Sequence, residues 1–224
     1  MAQRGVAGTI SSLFREAFEF ARDSMPSRLR QRWGDIDFDC DFGVDTTAAR
    51  LGFRTRLLGA VAGGHYQPTE PALFHEMLDA LPIDYRDFTF IDLGSGKGRA
   101  LLMASDYSFR RILGVELLPE FHRIALQNIA NYCSPGQKCF AMESRCGDAL
   151  QFEFPPEPLV VYIFNPFPEC GLTKVMVNLE RSLERNPRPV YVVYHNPILE
   201  HVLSSSSAFR RIAGTYQFAI YVSS

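Results

Sequence analysis

The sequence has no long hydrophobic run: none of its apolar stretches reaches the roughly 18 residues that a membrane helix needs. The apolar stretch near the start, residues 5–13, is too short for a secretory signal and is soon followed by charged residues. An excess of either charge is also lacking, with 23 basic and 25 acidic residues. We therefore expect a cytoplasmic protein without a membrane partner and without a global attraction to nucleic acid.

The cysteine pattern gives no indication of a metal site. The five cysteines are odd in number and form no C-x-x-C pair and no other metal-ligand spacing. We expect incidental or buried thiols, with no disulfide, no structural zinc and no other metal site.

The first 63 residues differ in character from the rest. Apolar residues at helical spacing predict a helix over residues 8–33, and a second short helix is predicted over residues 46–61. Residues 34–47 alternate acidic with aromatic side chains and have no helical period, so we interpret them as an ordered loop. We assign residues 1–63 to a helical N-terminal cap and residues 64–224 to one main domain.

The main domain alternates apolar runs with helical stretches. The runs have no strict polar alternation, which is typical of strands buried on both faces of a parallel sheet. Strands are predicted over residues 88–93, 110–117, 138–146, 159–164 and 189–195, and helices over residues 71–81, 98–106, 119–131 and 172–185. The chain ends in a predicted hairpin, which places an antiparallel strand near the sheet edge. This order predicts an α/β fold with a doubly wound, mostly parallel sheet.

Three glycines follow the first strand in the stretch FIDLGSGKGR, residues 90–99. A P-loop needs Ser or Thr after its lysine, but Gly98 follows Lys97. A dinucleotide fingerprint needs G-x-G-x-x-G, whereas Gly94, Gly96 and Gly98 give G-x-G-x-G. Neither phosphate motif fits, and Lys97 is the least informative residue of the stretch.

Acidic residues stand at the ends of the first strands. Asp92 suits a ligand with a cationic amino group and would repel a pyrophosphate. Glu116 ends the second strand, where a carboxylate can accept hydrogen bonds from two ribose hydroxyls. Asp148 follows the third strand and can accept from an adenine amino group, although a turn cap would also explain it.

The motifs DLGSGKGR, GVE, GDA and FNPF, in this order, resemble those of class I S-adenosylmethionine-dependent methyltransferases over roughly residues 64–222. The resemblance implies a seven-stranded Rossmann-like sheet whose last strand is antiparallel, and S-adenosylmethionine as cofactor. It implies that Asp92 lies close to the cofactor, that Glu116 binds the ribose and that Asp148 binds the adenine. The cofactor contacts implied are Tyr66, Thr69, Asp92, Gly94, Ser95, Gly96, Gly98, Arg99, Glu116, Leu117, Asp148, Ala149 and Asn165.

The fourth strand ends in Asn-Pro-Phe-Pro, residues 165–168. This resembles the [DN]-P-P-[FYW] motif of methyltransferases that act on adenine amines or glutamine amides, but it lacks the second proline. Two acceptors there would orient an N–H pair, and a plain chain turn is the alternative. The predicted catalytic residues are Asn165, Pro166, Phe167 and Tyr66.

Two further segments leave alternatives open. HYQPTEP, residues 65–71, resembles a Y-x-P-T/S segment of some bacterial and protein-lysine methyltransferases, which implies that Tyr66 and Thr69 line the site. Thr69 as a helix cap ahead of Pro71 fits equally well. His195 is either a base or a satisfied histidine at a strand end.

These features predict methyl transfer to an amine or amide nitrogen of an unidentified acceptor. A protein side chain or a small molecule is favoured over nucleic acid as the acceptor. The alternatives are an O- or C-methyltransferase of small molecules, a catalytically silent cofactor-binding module and, disfavoured by the glycine spacing, a nicotinamide-dependent oxidoreductase.

Overall fold

The protein is represented by a computed structural model that describes residues 33–47, 66–165 and 167–224. These ranges do not include residues 8–32 of the first predicted helix, most of the predicted cap, or Pro166. Most of the predicted helix over residues 46–61 lies outside them too, and its first two residues, Thr46 and Thr47, are not helical.

The centre of the fold is a seven-stranded sheet. Its strands are β1 (Thr89–Leu93), β2 (Arg111–Glu116), β3 (Met142–Cys146), β4 (Leu159–Phe164), β5 (Val190–His195), β6 (Phe209–Gly214) and β7 (Phe218–Ser223). The strand order is β3-β2-β1-β4-β5-β7-β6. Strands β1 to β5 are parallel, whereas β7 pairs antiparallel with both β5 and β6. The predicted doubly wound sheet with an antiparallel C-terminal strand is confirmed.

The helices are α1 (Trp33–Phe42), α2 (Pro71–Asp79), α3 (Arg99–Ala104), α4 (Pro119–Asn131), α5 (Glu169–Arg185) and α6 (Glu200–Ser204). Helices α2 to α5 lie at about the predicted positions. Short 3-10 turns occupy Tyr85–Asp87 and Ala149–Gln151. Helix α6 has only five residues and was not predicted, because so short a segment shows no hydrophobic period.

The central strand β1 is buried along its whole length and separates two apolar layers. Ile91 and Leu93 belong to the core cluster that includes the apolar face of α5, whereas Phe90 packs with residues of α2 and α3. Since side chains alternate along a strand, Asp92 lies on the same face as Phe90. The charged residue of β1 therefore lies in the sheet interior, next to the carboxyl edge.

The prediction of a loop over residues 34–47 is wrong for its first part, because α1 is a helix. Phe38 and Phe42 are four residues apart, so they share one helical face, and their ring centroids are 4.9 Å apart. Phe42 also contacts Tyr132 at 5.1 Å. Gly43 then ends the helix with a φ of 64°. The alternation in the sequence concealed this aromatic pair, which tertiary packing stabilises.

We predict that Gly114→Ala destabilises the fold, because a Cβ on this β2 residue would lie 2.8 Å from the Cβ of Ser95 and 2.7 Å from Cδ1 of Leu101. Overpacking of this kind costs roughly 1–3 kcal/mol. Urea unfolding followed by circular dichroism measures the loss. The matched control is Gly147→Ala, whose Cβ would meet no described atom within 4 Å; equal stability of the two variants would contradict the prediction.

Candidate active site

A cavity of about 310 Å³ opens at the carboxyl edge of the sheet, where β1 and β4 lie side by side. The chain leaves β1 toward β2 on one side, and β4 lies on the other, so this is the switch point at which such sheets bind ligands. The cavity brings together most of the predicted site residues: Tyr66, Thr69, Asp92, Gly94, Ser95, Gly96, Arg99, Glu116, Leu117, Asp148, Ala149, Asn165 and Phe167. Gly98 does not line it.

The glycine loop crosses the end of β2. Gly94, Gly96 and Gly98 all have positive φ, at 86°, 54° and 88°. The N–H groups of Gly94 and Ser95 donate to the carbonyl of Val115 at 2.9 and 3.1 Å. Gly98 immediately precedes α3, and a Cβ there would lie 3.3 Å from the Cβ of Ala125 in α4. Gly98 therefore permits close packing of two helices.

Glu116 is buried and joins the glycine loop to the start of α4. Its Oε2 accepts from the N–H of Gly96 at 2.8 Å, and its Oε1 accepts from the N–H of Leu118 at 2.7 Å. Burial raises the pKa of Glu116. Each carboxylate oxygen can accept a further hydrogen bond, so the group can still bind a pair of ligand hydroxyls.

Asp92 is the most unusual group in the cavity. It is 4% exposed, and among the described residues no cation or hydrogen-bond donor lies against its carboxylate. Burial, together with the negative charge of Glu116, raises the pKa of Asp92 to about 8. A buried carboxylate without a partner is costly, so a ligand with an ammonium group would supply the missing charge.

Asp148 both lines the cavity and caps a turn. It lines the cavity, and its Oδ1 accepts from the N–H of Leu150 at 2.9 Å, which caps the turn Ala149–Gln151. The cap orients the carboxylate on the cavity wall beside Leu117 and Ala149.

Thr69 belongs to the cavity wall and does not cap a helix. The N-cap of α2 is Glu70, which accepts from the N–H groups of the first turn. The Oγ1 of Thr69 lies 2.9 Å from the hydroxyl of Tyr162, which lies 2.7 Å from Nδ1 of His195. Burial lowers the pKa of His195 to about 4, so the ring is neutral at pH 7 and holds Tyr162 in place.

Asn165 stands at the end of β4 with a φ of 42°, in the left-handed region. The hydroxyl of Tyr194 donates to its Oδ1 at 2.8 Å, and its Nδ2 donates to the carbonyl of Asn196. Both bonds fix the orientation of the amide. The Oδ1 atom keeps one lone pair for another donor.

Tyr66 forms the wall opposite Glu116. Its ring contacts Gly96, where an added Cβ would lie 2.5 Å from Cε2, and its centroid is 5.0 Å from that of Phe121. The hydroxyl of Tyr66 donates to the carbonyl of Thr46 at 2.6 Å. Burial raises the pKa of Tyr66, so the hydroxyl stays protonated and acts as a donor.

Sequence reasoning missed Lys97, which is 1% exposed. Its Nζ donates to Oδ1 of Asp45 at 2.8 Å and to the carbonyl of Thr47 at 3.0 Å. The available signal was charge complementarity: the acid-rich residues 34–47 match the two cations of the Lys-Gly-Arg triplet. Tyr162 and Tyr194 were also missed, because within apolar strands they look like core residues.

Within residues 33–47, 66–165 and 167–224, no three His, Cys, Asp or Glu side chains are grouped so as to hold a metal ion. All five cysteines are free thiols. No helix in the same ranges is both long enough and apolar enough to cross a bilayer.

No protein-family model and no curated protein sequence matches this chain. Solved structures do match. A predicted N6-adenine-specific DNA methylase from Listeria monocytogenes is 15% identical with a TM-score of 0.51, and the match covers 70% of this chain and 51% of that one. An RNA methyltransferase from Salinibacter ruber, in complex with S-adenosyl-L-homocysteine, is 20% identical over 70% of this chain and 92% of that one, with a TM-score of 0.48. A TehB-like methyltransferase from Corynebacterium glutamicum is 15% identical over 73% and 90% of the two chains, with a TM-score of 0.47.

The chain therefore has the seven-stranded, Rossmann-like fold of class I S-adenosylmethionine-dependent methyltransferases. At 15% identity the likeness concerns the fold and leaves the methyl acceptor open. This likeness does not support the expectation that nucleic acid is the less favoured acceptor.

We predict that Asp92→Asn reduces the pH dependence of stability. Folded Asp92 keeps its proton up to a pH of about 8, whereas an unfolded Asp loses it near pH 4. Folding thus takes up a proton between these values, and the free energy of unfolding falls as pH rises through this window. Relative to wild type, the variant should gain up to roughly 5 kcal/mol between pH 4 and 8, at about 1.4 kcal/mol for each pKa unit, measured by urea unfolding.

The control for this experiment is Asp87→Asn, an exposed aspartate next to the amino end of β1. Its stability difference from wild type should stay constant over the same pH range. A difference for Asp92→Asn that is equally flat would show that Asp92 is ionised throughout.

Proposed function

We propose that this protein is an S-adenosylmethionine-dependent methyltransferase that transfers a methyl group to a nitrogen atom of its acceptor. The observation that carries the proposal is the buried carboxylate of Asp92, which faces a cavity and lacks a cation among the described residues. The ammonium group of the methionine moiety fits this position, because its positive charge stabilises the ionised form of the carboxyl group, which burial alone disfavours.

The rest of the cavity fits the remaining parts of the same cofactor. The free lone pairs of Glu116 suit the two ribose hydroxyls, and Asp148 suits the adenine amino group. Leu117 and Ala149 supply apolar surface for the base. When bound, S-adenosylmethionine supplies a methyl group on a positively charged sulfur, which a nitrogen lone pair can displace.

The choice of nitrogen rests on the amide of Asn165. One N–H of Nδ2 donates to the carbonyl of Asn196 and one lone pair of Oδ1 accepts from Tyr194, and we propose that the remaining lone pair of Oδ1 meets the acceptor. An oxygen that accepts hydrogen bonds selects a donor, and an amine or amide N–H is such a donor. Binding through the N–H orients the nitrogen lone pair, which is the main requirement for a displacement reaction.

Among nitrogen acceptors we favour a protein side chain, since the chain has a formal net charge of −2 and offers no overall attraction to a polyanion.

The neutral His195 bonds to the protonated Tyr162, and Tyr162 in turn holds Thr69 on the cavity wall. Their role is positioning, because neither requires a change of charge during the reaction.

Isothermal titration calorimetry with S-adenosylhomocysteine tests the cofactor proposal. Wild type should bind, and Asp92→Asn and Glu116→Gln should each raise the Kd at least about tenfold, because each removes a charge-assisted interaction. Binding to wild type should also release a proton from Asp92 below pH 8, which appears as a binding enthalpy that depends on the buffer.

Asp106→Asn is the matched control for this titration, since burial also raises the pKa of Asp106 but the residue does not line the cavity. Its Kd should equal that of wild type. Absence of S-adenosylhomocysteine binding to wild type would refute the proposed function.

Methyl transfer from methyl-labelled S-adenosylmethionine to fractionated lysate tests the role of Asn165. Label should enter the protein fraction and be recovered on nitrogen. Tyr194→Phe should lower the transfer rate about tenfold with an unchanged Kd for S-adenosylhomocysteine. The substitution removes the hydrogen bond that fixes the Asn165 amide and leaves the residues proposed to bind the cofactor unchanged. Asn165→Ala should abolish transfer.

Tyr221→Phe is the control, because it removes a tyrosine hydroxyl that is bonded to Glu200 away from the cavity. Full activity of Asn165→Ala, or label recovered on oxygen or carbon, would contradict nitrogen transfer. Label in RNA or in small molecules would keep the enzyme class and replace the protein acceptor.

A further inference from the structure

We infer that Lys97 is a positioning residue of the cofactor site. Residues 39–47 form a brace that docks on Lys97, and this docking sets the affinity of the cavity for the cofactor. The inference rests on the proposed function, because it concerns the affinity of the same cavity for S-adenosylmethionine and its product.

The brace is held by two buried cations of the glycine loop and of α3. Lys97 donates to Asp45 at 2.8 Å and to the carbonyl of Thr47 at 3.0 Å. Arg99 donates from Nε to Oγ1 of Thr46 at 2.6 Å, and its Nη2 lies 3.5 Å from Oδ1 of Asp39. Lys97 and Arg99 are at most 2% exposed, so their charges depend on these partners.

The brace is itself ordered by Asp39 and Asn128. Asp39 accepts from the N–H groups of Thr46 and Thr47, so it closes the segment into a compact turn. Asn128 of α4 donates to the carbonyls of Asp45 and of Lys97 at 2.9 and 2.8 Å. One amide therefore joins the brace, the glycine loop and α4.

A continuous set of contacts leads from the brace to the cavity. The carbonyl of Thr46 accepts from the hydroxyl of Tyr66, whose ring lies against Gly96. The N–H of Gly96 donates to Glu116. Lys97 follows Gly96 in the chain, so the brace is connected to the cavity wall in two ways, through the Lys97 side chain and through Tyr66.

Because coupling between two sites is reciprocal, a cofactor that binds against this loop must also stabilise the docked brace. Among the backbone N–H groups of residues 44–47, that of Asp45 reports on docking because it donates to Asn128 of α4, and the other three report on the order of the brace because they donate to Asp39. Their exchange with deuterium is therefore a direct measure of the coupling.

The test compares Lys97→Met with Lys174→Met in the full-length protein. Methionine keeps most of the volume of the lysine stem and removes its charge, and Lys174 is an exposed residue of α5. By calorimetry, Lys97→Met should raise the Kd for S-adenosylhomocysteine about tenfold, whereas Lys174→Met should leave it unchanged. Asp45→Asn, at a partly exposed position, should raise the Kd in the same direction, and the double variant should add little.

Hydrogen–deuterium exchange provides a readout that a purely structural role would not change. S-adenosylhomocysteine should slow exchange of residues 44–47 in wild type and in Lys174→Met, but not in Lys97→Met. If wild type binds no S-adenosylhomocysteine, the proposed function fails. If wild type binds and Lys97→Met or Asp45→Asn binds equally well, or if the ligand leaves exchange of residues 44–47 unchanged in wild type, this inference alone is overturned.

Discussion

The hydrogen bond that the N–H of Gly96 donates to Glu116 joins the ends of the neighbouring strands β1 and β2, and the shape of the cavity depends on it. For this N–H to reach the carboxylate, the chain must turn back sharply after β1, which requires positive φ at Gly94 and Gly96. The same turn leaves the space that the ring of Tyr66 fills. The conformation of the loop, the orientation of Glu116 and one wall of the cavity are thus a single arrangement.

This arrangement places two carboxylates in a buried region, and their repulsion is not relieved within the described residues. The raised pKa of Asp92 expresses the cost, to which both burial and Glu116 contribute. The nearby positive charges of Lys97 and Arg99 are directed to Asp45 and Asp39 on the far side of the loop. Two sets of acids therefore face opposite sides of one loop. One set is neutralised by the chain, and the other has no cation against it among the described residues.

The sheet and the acids that line the cavity were predictable because they depend on local sequence: apolar runs mark buried strands, and Asp92 and Glu116 follow from their places at strand ends. The contacts of Lys97 and Arg99 were not, since their partners lie about fifty residues away and depend on tertiary packing. The prediction for residues 34–42 failed for a related reason. Phe38 and Phe42 form a helical pair against which Tyr132 packs, and Tyr132 lies far away in the sequence. Local pattern predicts where a strand ends, but not which distant segment covers it.

One wall of the cavity is built by a second pair of strands, independently of the glycine loop. Asn165 and Asn196 follow the neighbouring strands β4 and β5, both have left-handed backbone conformations, and both precede a proline. The Nδ2 of Asn165 bonds the carbonyl of Asn196, and Tyr194 bonds Asn165 in turn. Left-handed asparagine costs backbone energy, so two of them joined at adjacent strand ends indicate a required geometry. Since β1 and β4 are neighbours, Asn165 lines the same cavity as Asp92 and Glu116, while separate sets of residues hold Asn165 and Glu116 in place.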